Sequence, residues 1–162
     1  MNTSIEIRHY RDEDFDQIFD LNEAVLQAID PSLHWFLGWD DDLQYIVADC
    51  LQRQVVCLVG EVQDTTQTQI IAMGILRPID DLRGEIRGMR VHPTHQNLGL
   101  GKLMLSRLEN AARELDYRVL QLDTTVLQHA AIRLYSKAGY LEVHRDAANG
   151  IEEIYFEKKM SD

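Results

Sequence analysis

The chain is short of cysteine, of basic charge and of long apolar runs, and each shortage removes a class of answer. Only Cys50 and Cys57 occur among 162 residues, and Cys57 lies within the apolar run Val55 to Val59. A small buried hydrophobe is expected there rather than a disulfide or a nucleophile. Lys and Arg number 16 against 27 Asp and Glu, a formal charge of −11. That balance argues against nucleic acid as a general partner and mildly favours cationic substrates. No stretch approaches the ~20 apolar residues of a membrane span, and Met1 to Arg11 is polar and charged where a signal peptide needs an apolar run. A cytoplasmic protein with no membrane partner is therefore expected. No Pro/Gly/Ser-rich linker, low-complexity tract or repeat interrupts the sequence, so a single domain over residues 1–162 is expected.

What is present reads as alternating strands and helices. Ile5, Ile7 and His9 alternate as a first strand, and Asp12, Glu13 and Asp14 suit the positive start of a helix carrying Phe15, Ile18, Phe19 and Leu21. An apolar loop, Leu33 to Trp39, precedes Asp40 to Asp42 and a second expected helix, Leu43 to Leu51. Val55 to Val62, Ile70 to Leu76 and Glu85 to Val91 are β-rich runs expected to form an antiparallel meander. From Leu100, the apolar positions Met104, Leu108, Ala111 and Leu115 step by three or four, the stripe of a helix lying on a sheet. A strand, Arg118 to Thr124, follows, then a helix around Ala130 to Ala138 that stops at Gly139, then strands near Leu141 to His144 and Glu152 to Glu157. The class is α/β, with a mixed, mostly antiparallel central sheet flanked by helices.

The segment Gln96-Asn97-Leu98-Gly99-Leu100-Gly101-Lys102 stands between a strand end and a helix start. Glycines let a bound group approach the main chain, and unpaired amides at a helix start supply donors with partial positive charge. Lys102 adds a full charge, and attraction at a helix end is worth roughly 0.3 to 1 kcal/mol when exposed. Such a place suits a pyrophosphate; the competing reading is a glycine loop that merely starts a helix. A dinucleotide fingerprint fails, because Met104 stands where a third small residue is needed and a meander precedes the loop. A nucleotide P-loop fails as well, since Leu103 rather than Ser or Thr follows Lys102.

The run Met89-Arg90-Val91-His92-Pro93 followed by Gln96 to Gly101 resembles the GNAT superfamily, whose Gln/Arg-x-x-Gly-x-Gly/Ala pattern follows a strand and a His-Pro or Asp-Pro turn. A second stretch, Gln128 to Tyr140, resembles the superfamily's Asn-x-Ala-Ala-x-x-Leu-Tyr-x-x-x-Gly-Phe/Tyr helix. The resemblance covers Glu85 to Tyr140 and departs from the pattern at Asn97 and at Gln128. It implies a GNAT-like acyl-CoA N-acyltransferase fold in which acetyl-CoA, the co-substrate, lies where the strands Glu85 to Val91 and Arg118 to Thr124 splay apart. Main-chain groups of Met89 and Val91, together with Gln96, Asn97, Gly99, Gly101, Lys102 and Gln128, are then the expected coenzyme contacts. Gly88, a glycine inside a strand, fits a bulge that turns Met89 and Val91 toward the coenzyme, or is merely tolerated.

Acetyl transfer to an amine needs a neutral nucleophile, a stabilised oxyanion and a proton for the departing thiolate. The resemblance implies Tyr135 as the proton donor and Glu85 as the catalytic or water-holding carboxylate; without it, Tyr135 reads as a core aromatic and Glu85 as a solvated strand end. Arg133 and Lys137 read as helix surface, and His92 and His95 as loop histidines, since a zinc site needs three or four protein ligands. No metal is expected. Trp35, Phe36 and Trp39 either line an acceptor pocket or pack the core. The acceptor is expected to carry a primary amine on a small metabolite, amino acid or peptide. Alternatives are a protein N-terminus or lysine, and a coenzyme A-binding regulatory module without turnover. A homodimer is allowed for.

Overall fold

The computed structural model describes residues 4–31, 48, 54–63, 66–147 and 150–161. Seven strands form one sheet: β1 (Ile5–His9), β2 (Val56–Gln63), β3 (Thr68–Pro78), β4 (Arg83–Val91), β5 (Val119–Thr125), β6 (Leu141–Asp146) and β7 (Glu153–Lys159). Their order is β1-β2-β3-β4-β5-β7-β6. Every neighbouring pair is antiparallel except β4 and β5, which run parallel. Between those two, the chain makes a crossover through α2 (Leu100–Glu114), as a parallel pair requires. Among the described residues, the other α-helices given in full are α1 (Phe15–Ile29) and α3 (His129–Lys137). The antiparallel meander and the mixed sheet expected from the sequence are both present. The helix expected over Leu43 to Leu51 lies, Ala48 apart, outside the described residues, as do the loop Leu33 to Trp39 and Cys50. No helix among the described residues is long and apolar enough to cross a membrane.

Alternation along β3 assigns the two faces. Ala72 and Leu76 join a core with Met104, Leu105, Leu108 and Ala112 of α2, whereas Met73 and Ile75 join Ile18, Leu21 and Val25 of α1. Successive strand residues point to opposite faces, so a β3 apolar on both sides must be covered on both. Cys57 is buried in the α1-side core, the small hydrophobe expected of it. Tyr135 and Tyr140, from α3 and just beyond it, complete the α2-side core. The end of α3 is closed by Tyr140 N–H donating to the Tyr135 carbonyl and Gly139 N–H to that of Ser136, the paired bonds of a Schellman cap.

The acids at Asp12 to Asp14 form a short 3₁₀ turn ahead of α1, but Asp14 does more than favour a helix end. It is 3% exposed and takes two hydrogen bonds from Arg8, at 2.7 and 2.9 Å, and one from the Arg11 amide at 2.8 Å. Burial pushes the Asp14 carboxyl up, yet the Arg8 and Arg11 bonds outweigh it and hold it below its ordinary range. A depressed folded-state pKa contributes stability above the unfolded value and loses it as pH falls through the folded one. Asp14→Asn should therefore cost about 2 kcal/mol at pH 7, and the cost should shrink as pH drops below about 4. Paired thermal melts across that range check it; a penalty that is the same at every pH would contradict the linkage.

Candidate active site

The site is made where the sheet stops being a sheet. The parallel ladder of β4 and β5 has three rungs, Arg83 with Val119, Gly84 with Leu120 and Glu85 with Gln121. Beyond Glu85 the ladder ends. On the other edge of β4, the pairing with β3 skips a residue between Met73/Arg90 and Ile75/Arg87, so Gly88 and Met89 together oppose Gly74. Gly88 has φ 60, a conformation in which a side chain is strained. This is the bulge expected at Gly88. Beyond it His92 N–H donates to the Ile71 carbonyl at 2.7 Å. Ladder alternation then directs the main-chain groups of Met89 and Val91 away from β3, toward the gap facing β5. The Met89 carbonyl accepts from Arg90 at 2.8 Å and the Val91 carbonyl from the Gln96 side-chain amide at 3.0 Å.

From the end of β4, a 3₁₀ turn at Pro93 to His95 leads into the glycine loop. The Nδ1 atoms of His92 and His95 lie 2.8 and 2.9 Å from the Thr94 hydroxyl, which ties both rings to the turn. Asn97 (φ 62) and Gly99 (φ 83) are both left-handed, and Asn is among the few other residues that accept this. The first bond of α2 runs from Leu103 N–H to the Gly99 carbonyl at 3.0 Å, so the amides of Leu100, Gly101 and Lys102 precede it. A Cβ built at Gly99 meets nothing within 4 Å: the approach to these amides is open. At Gly101 the neighbour is protein, since a Cβ there would lie 3.2 Å from Leu134 of α3 and 4.0 Å from Val91. Gly101 thus sets helix packing and joins the loop to the head of the gap. Lys102 is exposed in the first turn of α2, and Gln128 is the residue ahead of α3, its carbonyl accepting from Ile132. The donor set, an open approach and a cation fit a pyrophosphate.

Tyr135 is 4% exposed, its ring edge-on to Tyr140 at 6.0 Å and tilted to Phe156 at 6.2 Å. Burial pushes its phenol up to about 12; the Arg90 charge opposes this and Asp123 adds to it. The ring is rooted in the α2-side core, while Arg90 and Asp123 belong to the other face. Glu85 sits on the last rung, half-buried, with its carboxylate accepting from Arg77 of β3 at 2.5 Å. Glu85 thus stands where the β4–β5 ladder ends, on the α1 face, and Tyr135 is buried on the other side of the sheet.

Residues that sequence reasoning did not single out also meet there. Pairing places Glu85 beside Arg77, Arg87 beside Ile75 and Arg90 beside Met73, all on the α1 face. Gln121 and Asp123 share that face, opposite Glu157 and Tyr155 of β7. Gln121 donates to Glu157 at 2.6 Å and the Tyr155 hydroxyl to Glu153 at 3.0 Å. The available signal was period two: Leu120 and Leu122 face the core, so Gln121 and Asp123 must face away from it. Among the described residues no group of three or more His, Cys, Asp and Glu is placed to share a metal ion.

Residues 10–140 match the model of the acetyltransferase (GNAT) family. An IAA acetyltransferase of Azospirillum brasilense is 37% identical over 59 residues, 36% of this chain; the match spans only 39% of that protein's length. Among solved structures, the PaiA N-acetyltransferase of Thermoplasma acidophilum in complex with coenzyme A superposes with a TM-score of 0.81 at 15% identity, covering 97% of this chain and 99% of that one. An acetyltransferase of Streptococcus agalactiae gives 0.80 at 19% identity, covering 96% and 98%. At such identities the likeness is one of fold.

Proposed function

Because this chain belongs to the GNAT family of acetyltransferases, we propose that it moves the acetyl group of acetyl-CoA to a primary amine of a small metabolite, amino acid or peptide. The observation that carries the reading is the gap that opens where the β4–β5 ladder ends, with the amide-rich start of α2 at its head. The coenzyme bound in the Thermoplasma structure and the acetyltransferase relatives support the same co-substrate.

In this reading the pyrophosphate lies over the loop from Gln96 to Lys102, and the pantetheine arm runs along Met89 and Val91 with Gln128 on the facing wall. The acceptor enters from the α1 face and attacks the thioester directly in a ternary complex, so no acetylated enzyme forms. The Tyr135 phenol gives its proton to the sulfur as the carbon–sulfur bond breaks. Glu85, anchored by Arg77, holds the acceptor or a water at the mouth of the gap. Carboxylates at Glu85, Asp123 and Glu153 on that face suit an ammonium-bearing acceptor.

Calorimetry with acetyl-CoA, then mass analysis against a panel of amino acids, polyamines, aminoglycosides and peptides, tests the reading. Binding and an acetylated product are expected, and absence of binding overturns it. Lys102→Glu reverses a charge at the helix end and should weaken acetyl-CoA about tenfold, ~1.4 kcal/mol, which is twice a helix-end term of ~0.7 kcal/mol. Unchanged affinity would remove Lys102 from the phosphate site.

A further inference from the structure

Past Glu85, β4 keeps one neighbouring strand where it had two. The ladder with β5 ends at the Glu85–Gln121 rung, while β3 stays paired as far as Val91. An edge without a partner strand presents carbonyls and amides that need water, a ligand or a side chain instead. At both gap-facing carbonyls a side chain supplies the donor. The Arg90 guanidinium donates to the Met89 carbonyl at 2.8 Å, and its Nε donates to the side-chain oxygen of Asn22 in α1 at 3.1 Å. Two residues further along β4, the Gln96 side-chain amide donates to the Val91 carbonyl at 3.0 Å.

The two bonds differ in what they join. Arg90 braces its own strand against α1, whereas Gln96 belongs to the glycine loop, so its bond links the open stretch of β4 to the segment that carries the amides of α2. The loop has other bonds to hold its own shape. His95 N–H donates to the His92 carbonyl at 2.8 Å, the Thr94 hydroxyl contacts both histidines, and Leu103 N–H closes the first turn of α2 on the Gly99 carbonyl at 3.0 Å. Gln96 follows that 3₁₀ turn as an exposed residue with extended backbone, yet its amide nitrogen is turned back onto the strand.

Resting on the acetyl-transfer reading, we propose that Gln96 is a positioning residue that ties the phosphate loop to the open stretch of β4, so that the pyrophosphate and pantetheine sites stand at the spacing one acetyl-CoA molecule requires. It acts through the Val91 carbonyl and touches no reacting atom. That carbonyl has a second lone pair, so the tie and a pantetheine amide can share it. The advantage is that of a chelate. Two half-sites held at a matched distance bind a linked ligand better than either half alone, and slack between them lowers the effective concentration of the second half at its site. A residue of this kind matters only to a ligand long enough to reach both.

Gln96→Met keeps the length of the side chain and removes its donor. Calorimetry with acetyl-CoA and with 3′-phospho-ADP, the nucleotide portion of coenzyme A that has a pyrophosphate but no pantetheine arm, separates the two cases. The variant should bind acetyl-CoA about fivefold more weakly, the effect of one hydrogen bond, and 3′-phospho-ADP within about twofold of wild type. KM for acetyl-CoA should rise by the same factor with kcat unchanged, because the tie serves binding and not the reacting centre. Lys102→Glu, which alters the phosphate site itself, should weaken both ligands alike. Retained nucleotide binding also shows that the loop of the Gln96→Met protein is folded. Equal losses for the two ligands in Gln96→Met would make Gln96 a direct phosphate contact, and acetyl-CoA affinity that is unchanged or improved would leave the tie without a role; either result overturns the assignment. A wild-type protein that does not bind acetyl-CoA overturns the transfer reading itself, and the tie with it.

Discussion

Replacing Tyr135 with Phe should lower kcat about a thousandfold while acetyl-CoA affinity stays within about threefold of wild type. The substitution keeps the ring that packs on Tyr140 and Phe156 and removes only the oxygen. Burial holds the phenol near 12, so it stays protonated throughout the pH range of any practical assay. Against a thiolate of ordinary basicity near 8.5, a completed transfer from such a phenol would be uphill by roughly 5 kcal/mol. The departing thiolate, however, forms in the same water-poor gap, which raises its basicity for the same reason. The donor is needed as sulfur charge develops, not before; its loss should appear in kcat rather than in binding. Rates by product mass, with calorimetry on the same preparations, check this. A Phe variant with near wild-type kcat would reduce Tyr135 to a packing residue.

Gly88→Val should cost about 2 kcal/mol of stability and weaken acetyl-CoA at least about tenfold. A Cβ at Gly88 has ordinary room, 3.5 Å from Ile75 and 3.7 Å from Met73, so the penalty is not a clash. It comes from φ 60, which a β-branched residue adopts only under strain. Valine leaves two outcomes, a strained bulge or a straightened strand. Straightening removes the extra residue from β4 and shifts everything beyond it by one place, which sends side chains to the opposite face and main-chain groups to the opposite edge. Met89 would leave the α2-side core, where its sulfur would lie 2.9 Å from a Cβ at Gly74, and its main chain would turn back toward β3. Denaturant melts read the first effect and calorimetry the second. Wild-type values for both would mean that the bulge has no part in binding.

The parts legible in the sequence are those governed by short-range pattern. Period-two runs located the strands to within a residue or two at most ends, and the Leu100, Met104, Leu108 spacing marked α2. The motif around Gly99 identified a helix start with open amides, and the register of Tyr135 with Gly139 and Tyr140 singled out the phenol. Asp14 shows where such reasoning stops: acids before a helix suggest favourable charge at its end, but the partner that matters is Arg8 of β1. Likewise, Gly101 reads locally as a second cradle glycine, and its neighbour proves to be Leu134, more than thirty positions along the chain.

By itself, the sequence determined the strands and helices found among the described residues, the acidic character of the chain, the glycine loop at a helix start and the family resemblance, because each depends on residues within a few positions of one another. Only the tertiary structure decided where β4 parts from β5, that Glu85 is tied to Arg77, and that Asp123 shares the α1 face with Glu85 beyond the last rung of their ladder. Those facts depend on which strands become neighbours and how far their ladder runs. A chain cannot encode that in any local window, since the partners meet only when the parallel crossover through α2 closes and both faces of the sheet are covered.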